Sequence, residues 1–212
     1  MKIAVIGATG RIGKHVVLEA ARRGHEVLGI SRPGSQQSNS NVPTLALDIF
    51  SSVDISMLLA QNDALIIAYR APANELQLQA ELARVISTAA HDRSECHCVF
   101  IGAVSSLEVT EGVKYIESPD FPADLKGRAI AHEQAVNVLR LSSSENWTVV
   151  SPPENIGPSA SLGKEGSYRS AIGQLLRDPN GASAISFADF ARAVVDEAVD
   201  GQHLRNVVGV AY

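Results

Sequence analysis

Along the 212 residues, short β-branched apolar runs alternate with longer stretches whose apolar positions recur at helical spacing. The short runs fall near residues 2–6, 26–31, 44–47, 64–68, 98–102, 147–151 and 206–210 and are expected to be strands. Helices are expected near 11–23, 52–60, 74–91, 123–144, 168–177 and 187–199. Gly24 suits the left-handed residue that closes the first helix, and Ser186 with Asp189 gives a start signal for the last. Strands and helices in alternation are the pattern of a parallel sheet covered on both faces. The segment from Pro33 to Pro43 reads as a loop between elements of one sheet, and no repeat or linker divides the chain. A single domain over 1–212 is therefore expected.

The first strand runs directly into Gly7-Ala8-Thr9-Gly10-Arg11-Ile12-Gly13, and a helical stretch follows. This context sets backbone N–H groups and the positive end of a helix against a pyrophosphate. Gly7 would make the turn, Gly10 would let the phosphates approach, and Gly13 would let the helix lie on the sheet. The fold class expected is α/β, a Rossmann-type doubly wound, mainly parallel sheet with helices on both faces. Gly7, Thr9, Gly10, Arg11, Ile12 and Gly13 become the first cofactor-binding candidates, Arg11 as a possible second phosphate contact.

NAD-preferring sites place a carboxylate at the end of the second strand to take the ribose hydroxyls. Here that strand ends Ile30-Ser31-Arg32. Arg32 can bind a 2′-phosphate through paired charge-assisted bonds and Ser31 can donate one more, which favours NADP(H) over NAD(H). Asp48 and Ile49, after the third strand, stand where such folds approach the adenine ring.

Composition narrows the setting. Apolar residues make up 45% and charged residues 19%, and no apolar run is long enough for a membrane span. A net charge of −5 argues against a nucleic-acid surface. Met1-Lys2 leads straight into the first strand, which fits a cytoplasmic protein without a secretion signal. Cys96 and Cys98 are expected on opposite faces of a strand, as packing residues rather than a disulfide or a metal site.

Taken together, Lys2 to Gly13 (KIAVIGATGRIG), Phe100 to Val109 (FIGAVSSLEV), Trp147 to Pro153 (WTVVSPP) and Ile185 to Glu197 (ISFADFARAVVDE) resemble the atypical short-chain dehydrogenase/reductases of the NADH-flavin reductase type. Similarity to the biliverdin reductase B-like and NmrA-like proteins is more distant. In the segment Ile101-Gly102-Ala103-Val104-Ser105-Ser106-Leu107 two of the family's glycines are replaced. The resemblance implies that Pro152-Pro153 and the residues after them line the substrate side of the nicotinamide. A serine before the substrate pocket carries over as Ser105 or, one place on, Ser106. A histidine follows the proline pair in the biliverdin reductase B type, whereas this chain has Glu154.

Ordinary short-chain dehydrogenases use a Tyr-x-x-x-Lys pair to move a proton. Tyr69, Tyr115 and Tyr168 are followed four places on by Ala73, Pro119 and Ile172, so that pair is missing. Reduction of a flavin, quinone or similar planar acceptor needs less from the protein, because solvent can supply the proton. Flavin then enters as substrate rather than bound cofactor. Tyr69 after the fourth strand, and Ala103 with Ser105 or Ser106 after the fifth, are expected to flank the nicotinamide ring, with Pro152 opposite. His132 is a secondary candidate for an acid, and Ser159 to Tyr168 for a flap.

The expected activity is an NADPH-dependent reductase acting on a small planar acceptor, as a monomer or homodimer without nucleic-acid, membrane or metal partners. An NmrA-like redox sensor that binds the dinucleotide without turnover is the rival, and an epimerase or dehydratase relative a third reading.

Overall fold

A computed structural model of the chain describes residues 1–31, 42–91, 95–158 and 166–212. Seven strands fall where the apolar runs stand: β1 (Lys2–Ile6), β2 (Glu26–Ser31), β3 (Thr44–Ala46), β4 (Ala64–Ile67), β5 (His97–Ile101), β8 (Trp147–Ser151) and β12 (Val207–Ala211). Five shorter strands join them among the described residues: β6 (Glu108–Thr110), β7 (Val113–Lys114), β9 (Asn155–Gly157), β10 (Arg169–Ile172) and β11 (Ala184–Ser186). The main sheet has eight strands in the order β10-β12-β8-β5-β4-β1-β2-β3. All neighbours are parallel except β10, which closes one edge antiparallel to β12. The strand order reverses between β1 and β4, and that reversal opens a crevice at their carboxyl ends.

The helices are α1 (Gly13–Arg22), α2 (Ser52–Gln61), α3 (Leu78–Ala90), α4 (Lys126–Leu141) and α5 (Phe187–Asp200). Successive strand residues point to opposite faces, so each central strand feeds two cores. Ile3 and Val5 of β1 pack with Val16, Val17 and Ala20 of α1 and with Phe190 and Val194 of α5. Ala4 and Ile6 join the other core, with Leu58 of α2, Leu82 and Ile86 of α3 and Leu139 of α4. This is the doubly wound arrangement with helices on both faces.

Local chemistry sets the helix ends. Gly24 adopts φ +81 after α1, and its N–H closes on the Ala21 carbonyl at 2.9 Å. The Ser186 side chain accepts the Asp189 N–H at 3.0 Å to start α5, and Gly201 ends that helix at φ +58.

Two expectations need correction. Residues 168–177 do not form a helix: Arg169–Ile172 is the edge strand β10, because pairing with β12 satisfies its backbone and Gly173 at φ +70 turns the chain out of any helical path. Cys96 and Cys98 do not point to opposite faces. Residues two apart on a strand share a face, and both sulfurs lie buried in the core with α3 and α4. Cys98 Sγ contacts the Cys96 carbonyl at 3.9 Å, and that neighbour together with burial pushes its thiol pKa up. Both therefore serve as packing residues. Arg32, the Pro33–Pro43 loop up to residue 41 and residues 159–165 of the Ser159–Tyr168 segment lie outside the described residues.

The candidate dinucleotide and acceptor cleft

The crevice at the strand reversal is a cleft of about 590 Å³. It receives residues from the carboxyl ends of β1, β2, β4, β5 and β8, the position where open parallel sheets bind ligands. The glycine turn forms one wall. Gly7 stands at φ +79, where a Cβ would lie 2.5 Å from the Ala68 carbonyl oxygen. Gly10 closes the turn by donating to the Gly7 carbonyl at 2.9 Å. A Cβ on Gly13 would fall 2.1 Å from that same oxygen, so only glycine lets α1 start this close to the turn. No side chain caps α1; its Lys14 and His15 N–H groups close on the Gly10 and Ile12 carbonyls at 3.1 and 2.9 Å, and the positive end of the helix faces the glycine turn.

Of the residues singled out in the sequence, Gly7, Thr9, Gly10, Arg11, Ile12, Ser31, Ile49, Tyr69, Ala103, Ser105 and Pro152 line this one cleft. Gly13 lies beneath it, as a packing glycine. Asp48 is exposed at the turn before α2, where its carboxylate accepts the Phe50 N–H at 3.0 Å. Ser106 is buried beside the cleft without lining it. The two serines follow β5 in one short 3₁₀ turn, Val104–Ser106, which directs Ser105 to the cleft and separates two residues that the sequence left as alternatives.

Ser105 Oγ and Ser106 Oγ are both buried without a hydrogen-bond partner. A hydroxyl left without a partner in the fold is expected to find one in a ligand. The glycine cradle, the helix start and the unpartnered Ser105 hydroxyl together fit a nicotinamide dinucleotide.

Glu154, which follows the proline pair, and Arg70, next to Tyr69, line the cleft as well, and with them Phe121, Arg128 and Phe187, which the sequence did not single out for it. Phe187 is buried and stacks on His15 with ring centroids 5.5 Å apart. Glu154 is engaged by Arg177, Nη1 to Oε2 at 2.7 Å. His132 also faces the cleft from α4. Burial, followed by the charges of Arg70 and Arg128, pushes its pKa down to about 4, so it stands neutral near pH 7. Tyr69 meets Phe50 edge to face at 6.0 Å. Tyr115 packs on Phe121 outside the cleft, and Tyr168 donates to Asp196 in a separate hollow beside α5. Among the described residues no tyrosine–lysine pair lines the cleft.

The strand reversal, the three glycines and the uncapped helix define a dinucleotide-binding protein of Rossmann type. Residues 7–200 match the NAD(P)H-binding family, and the chain belongs to it. It is 30% identical over 207 residues to YwnB, an uncharacterised protein of Bacillus subtilis (strain 168), covering 96% of this chain and 94% of that one. A candidate NADH-flavin reductase of Streptococcus pneumoniae TIGR4 superimposes with a TM-score of 0.89 at 31% identity, over 100% of this chain and 99% of the other. A candidate exported protein of Burkholderia pseudomallei gives 0.88 at 34% identity, over 100% of both chains. Among the described residues no helix is long and apolar enough to cross a membrane.

Proposed function

We propose that this protein is an NADPH-dependent oxidoreductase that reduces a small planar acceptor, a flavin or quinone, by direct hydride transfer in the cytoplasm. One observation carries the reading: a single cleft joins the glycine turn to an apolar floor of Phe121, Leu125, Ala129 and Pro152-Pro153, with no tyrosine–lysine pair beside it among the described residues. Such a floor suits a flat, apolar ring and offers no acid tuned for alcohol or carbonyl chemistry. The similarity to the Streptococcus pneumoniae candidate NADH-flavin reductase supports the same reading.

A bound NADPH supplies the hydride. The chain's own part is positional. Gly7, Gly10 and the start of α1 hold the pyrophosphate, and Ser31 with Arg32 recognises the 2′-phosphate side. Ile49 covers the adenine. Ser105 Oγ gives the carboxamide a partner, and Tyr69, Ala103 and Pro152 confine the ring, so that the acceptor stacks over it on the proline shelf. Positioning of this kind can contribute several kcal/mol to a rate. Solvent completes the proton balance at the acceptor, which leaves His132 free to remain neutral.

The test is NADPH consumption with FMN and with quinones, together with single-turnover reduction using NADPH deuterated at the transferred position. A slowed single turnover is expected. Tyr69→Phe, Tyr115→Phe and Tyr168→Phe should each keep most of the rate, and Arg32→Ala should weaken NADPH more than NADH, by about 1 to 3 kcal/mol. Tight NADPH binding without turnover of any flavin or quinone would replace this reading with that of a redox-sensing binding protein.

A further inference from the structure

We infer that the acceptor taken by this cleft carries an anionic group, a phosphate, sulfonate or carboxylate, which Arg70 and Arg128 receive. The inference rests on the reductase reading above and names the class of acceptor. Among the described residues three arginines line the cleft: Arg11, Arg70 and Arg128. Arg11 belongs to the glycine turn and is accounted for by the pyrophosphate. The other two come from separate elements, Arg70 from the loop after β4 and Arg128 from the first turn of α4. Arg128 Nη1 donates to the Ala71 carbonyl at 3.0 Å, which ties its guanidinium to the loop that bears Arg70.

Neither Arg70 nor Arg128 is ion-paired with a carboxylate among the described residues. The carboxylates nearby are engaged elsewhere, Glu154 with Arg177 and Glu133 with Lys114. His132, beside both arginines, is neutral and adds no counter-charge. In a chain whose net charge is −5, positive groups gathered in the cleft without carboxylate partners among the described residues are a local feature, not a reflection of overall charge. Burial and the like charges of Arg128 and Arg11 depress the Arg70 pKa, so an incoming anion relieves a repulsion that the fold maintains. The guanidinium fork matches the oxygens of phosphate, sulfonate and carboxylate alike. The apolar floor next to it takes the ring that bears the group.

The test uses acceptor pairs that differ in the anion alone: FMN against riboflavin, and 1,4-naphthoquinone-2-sulfonate against 1,4-naphthoquinone. Equilibrium binding of each to the full chain saturated with NADP⁺ is measured beside turnover with NADPH. The anionic member should bind about tenfold more tightly, the lower end expected of a charge-assisted bond at a partly exposed site. That preference should collapse towards unity in Arg70→Gln and in Arg128→Gln, and shrink with added salt. Arg70→Gln serves as the second variant should Arg128→Gln loosen the loop through Ala71. Equal binding within both pairs, an undiminished preference in the variants, or failure of all four compounds to bind would overturn the inference. So would a loss of NADPH affinity in both variants as large as the loss for the anion, since the arginines would then serve the cofactor. A preference for the anion without turnover would uphold the anion site and sink the reductase reading.

Discussion

His97, Thr148, Glu197 and His203 form one polar cluster, around the amino ends of β5 and β8; Ser105, His132, Arg70 and Arg128 form another, at the carboxyl end of the same sheet. In the first, the groups complete one another. Thr148 Oγ1 donates to Glu197 Oε1 at 3.0 Å and lies 3.0 Å from His97 Nε2. His203 places its backbone N–H 3.0 Å from Glu197 Oε1 and its Nδ1 2.7 Å from Oε2. In the second cluster Ser105 Oγ is buried with no partner, and the two arginines have no carboxylate among the described residues. Both clusters stand at the ends of one sheet, the first buried and the second partly open to solvent. A closed network stabilises the fold that contains it, whereas an open one costs stability until a ligand closes it. The contrast fits a structural role for the first cluster and the proposed ligand role for the second.

The largest expected effect is on the ligand side. Gly10→Val puts a side chain where the pyrophosphate must approach, and NADPH affinity should fall about a hundredfold or more, some 2.7 kcal/mol, by calorimetry on folded protein. Wild-type affinity in this variant would break the assignment of the carboxyl end. At the other end, Thr148→Val removes the hydroxyl between His97 and Glu197, and should lower unfolding stability by about 1 to 3 kcal/mol in urea, with NADPH affinity within about twofold. An unchanged urea midpoint would show that the network is not a structural one.

His132 gives a third and smaller test through pH. Its folded pKa of about 4 lies below its ordinary value of 6.5. The unfolded chain therefore takes the proton first, and stability falls as pH drops from 6.5 towards 4, while it is unaffected by this group above that window. For this half-buried ring the loss between pH 7 and pH 5 should be about 1 to 2 kcal/mol, and His132→Gln should remove it. Identical acid profiles for both proteins would contradict the burial of the ring. The smallest effect sharpens the comparison most. Ser105→Ala deletes a hydroxyl that bonds nothing in the fold, so stability without ligand should change by under about 0.5 kcal/mol. Turnover should nevertheless fall about tenfold, and further than in Ser106→Ala, if Ser105 positions the nicotinamide. A stability loss well above 1 kcal/mol in Ser105→Ala would mean that the hydroxyl is already satisfied by the protein.

The pattern of the chain determined a good deal unaided. Seven strands, the helices that pack on them and the glycine turn follow from local rules: β-branched runs favour strands, Ser186 caps α5, and Gly24 takes a conformation other residues avoid. Gly7 and Gly13 are legible because close backbone approach leaves no room for a Cβ, and Gly10 because a Cβ there would press on the Gly7 carbonyl at 3.0 Å. The tertiary structure decided the rest. Arg169–Ile172 has helical spacing but becomes an edge strand, since β12 offers it a ladder that no local window contains. Arg70 and Arg128 are 58 residues apart and look like ordinary surface arginines until α4 folds against the loop after β4. Ser105 and Ser106 are neighbours of one type, and a single 3₁₀ turn decides which of them meets the cleft. Propensity and capping act over a few residues, whereas the charge balance and open bonds of a site depend on which distant groups the fold leaves without a partner.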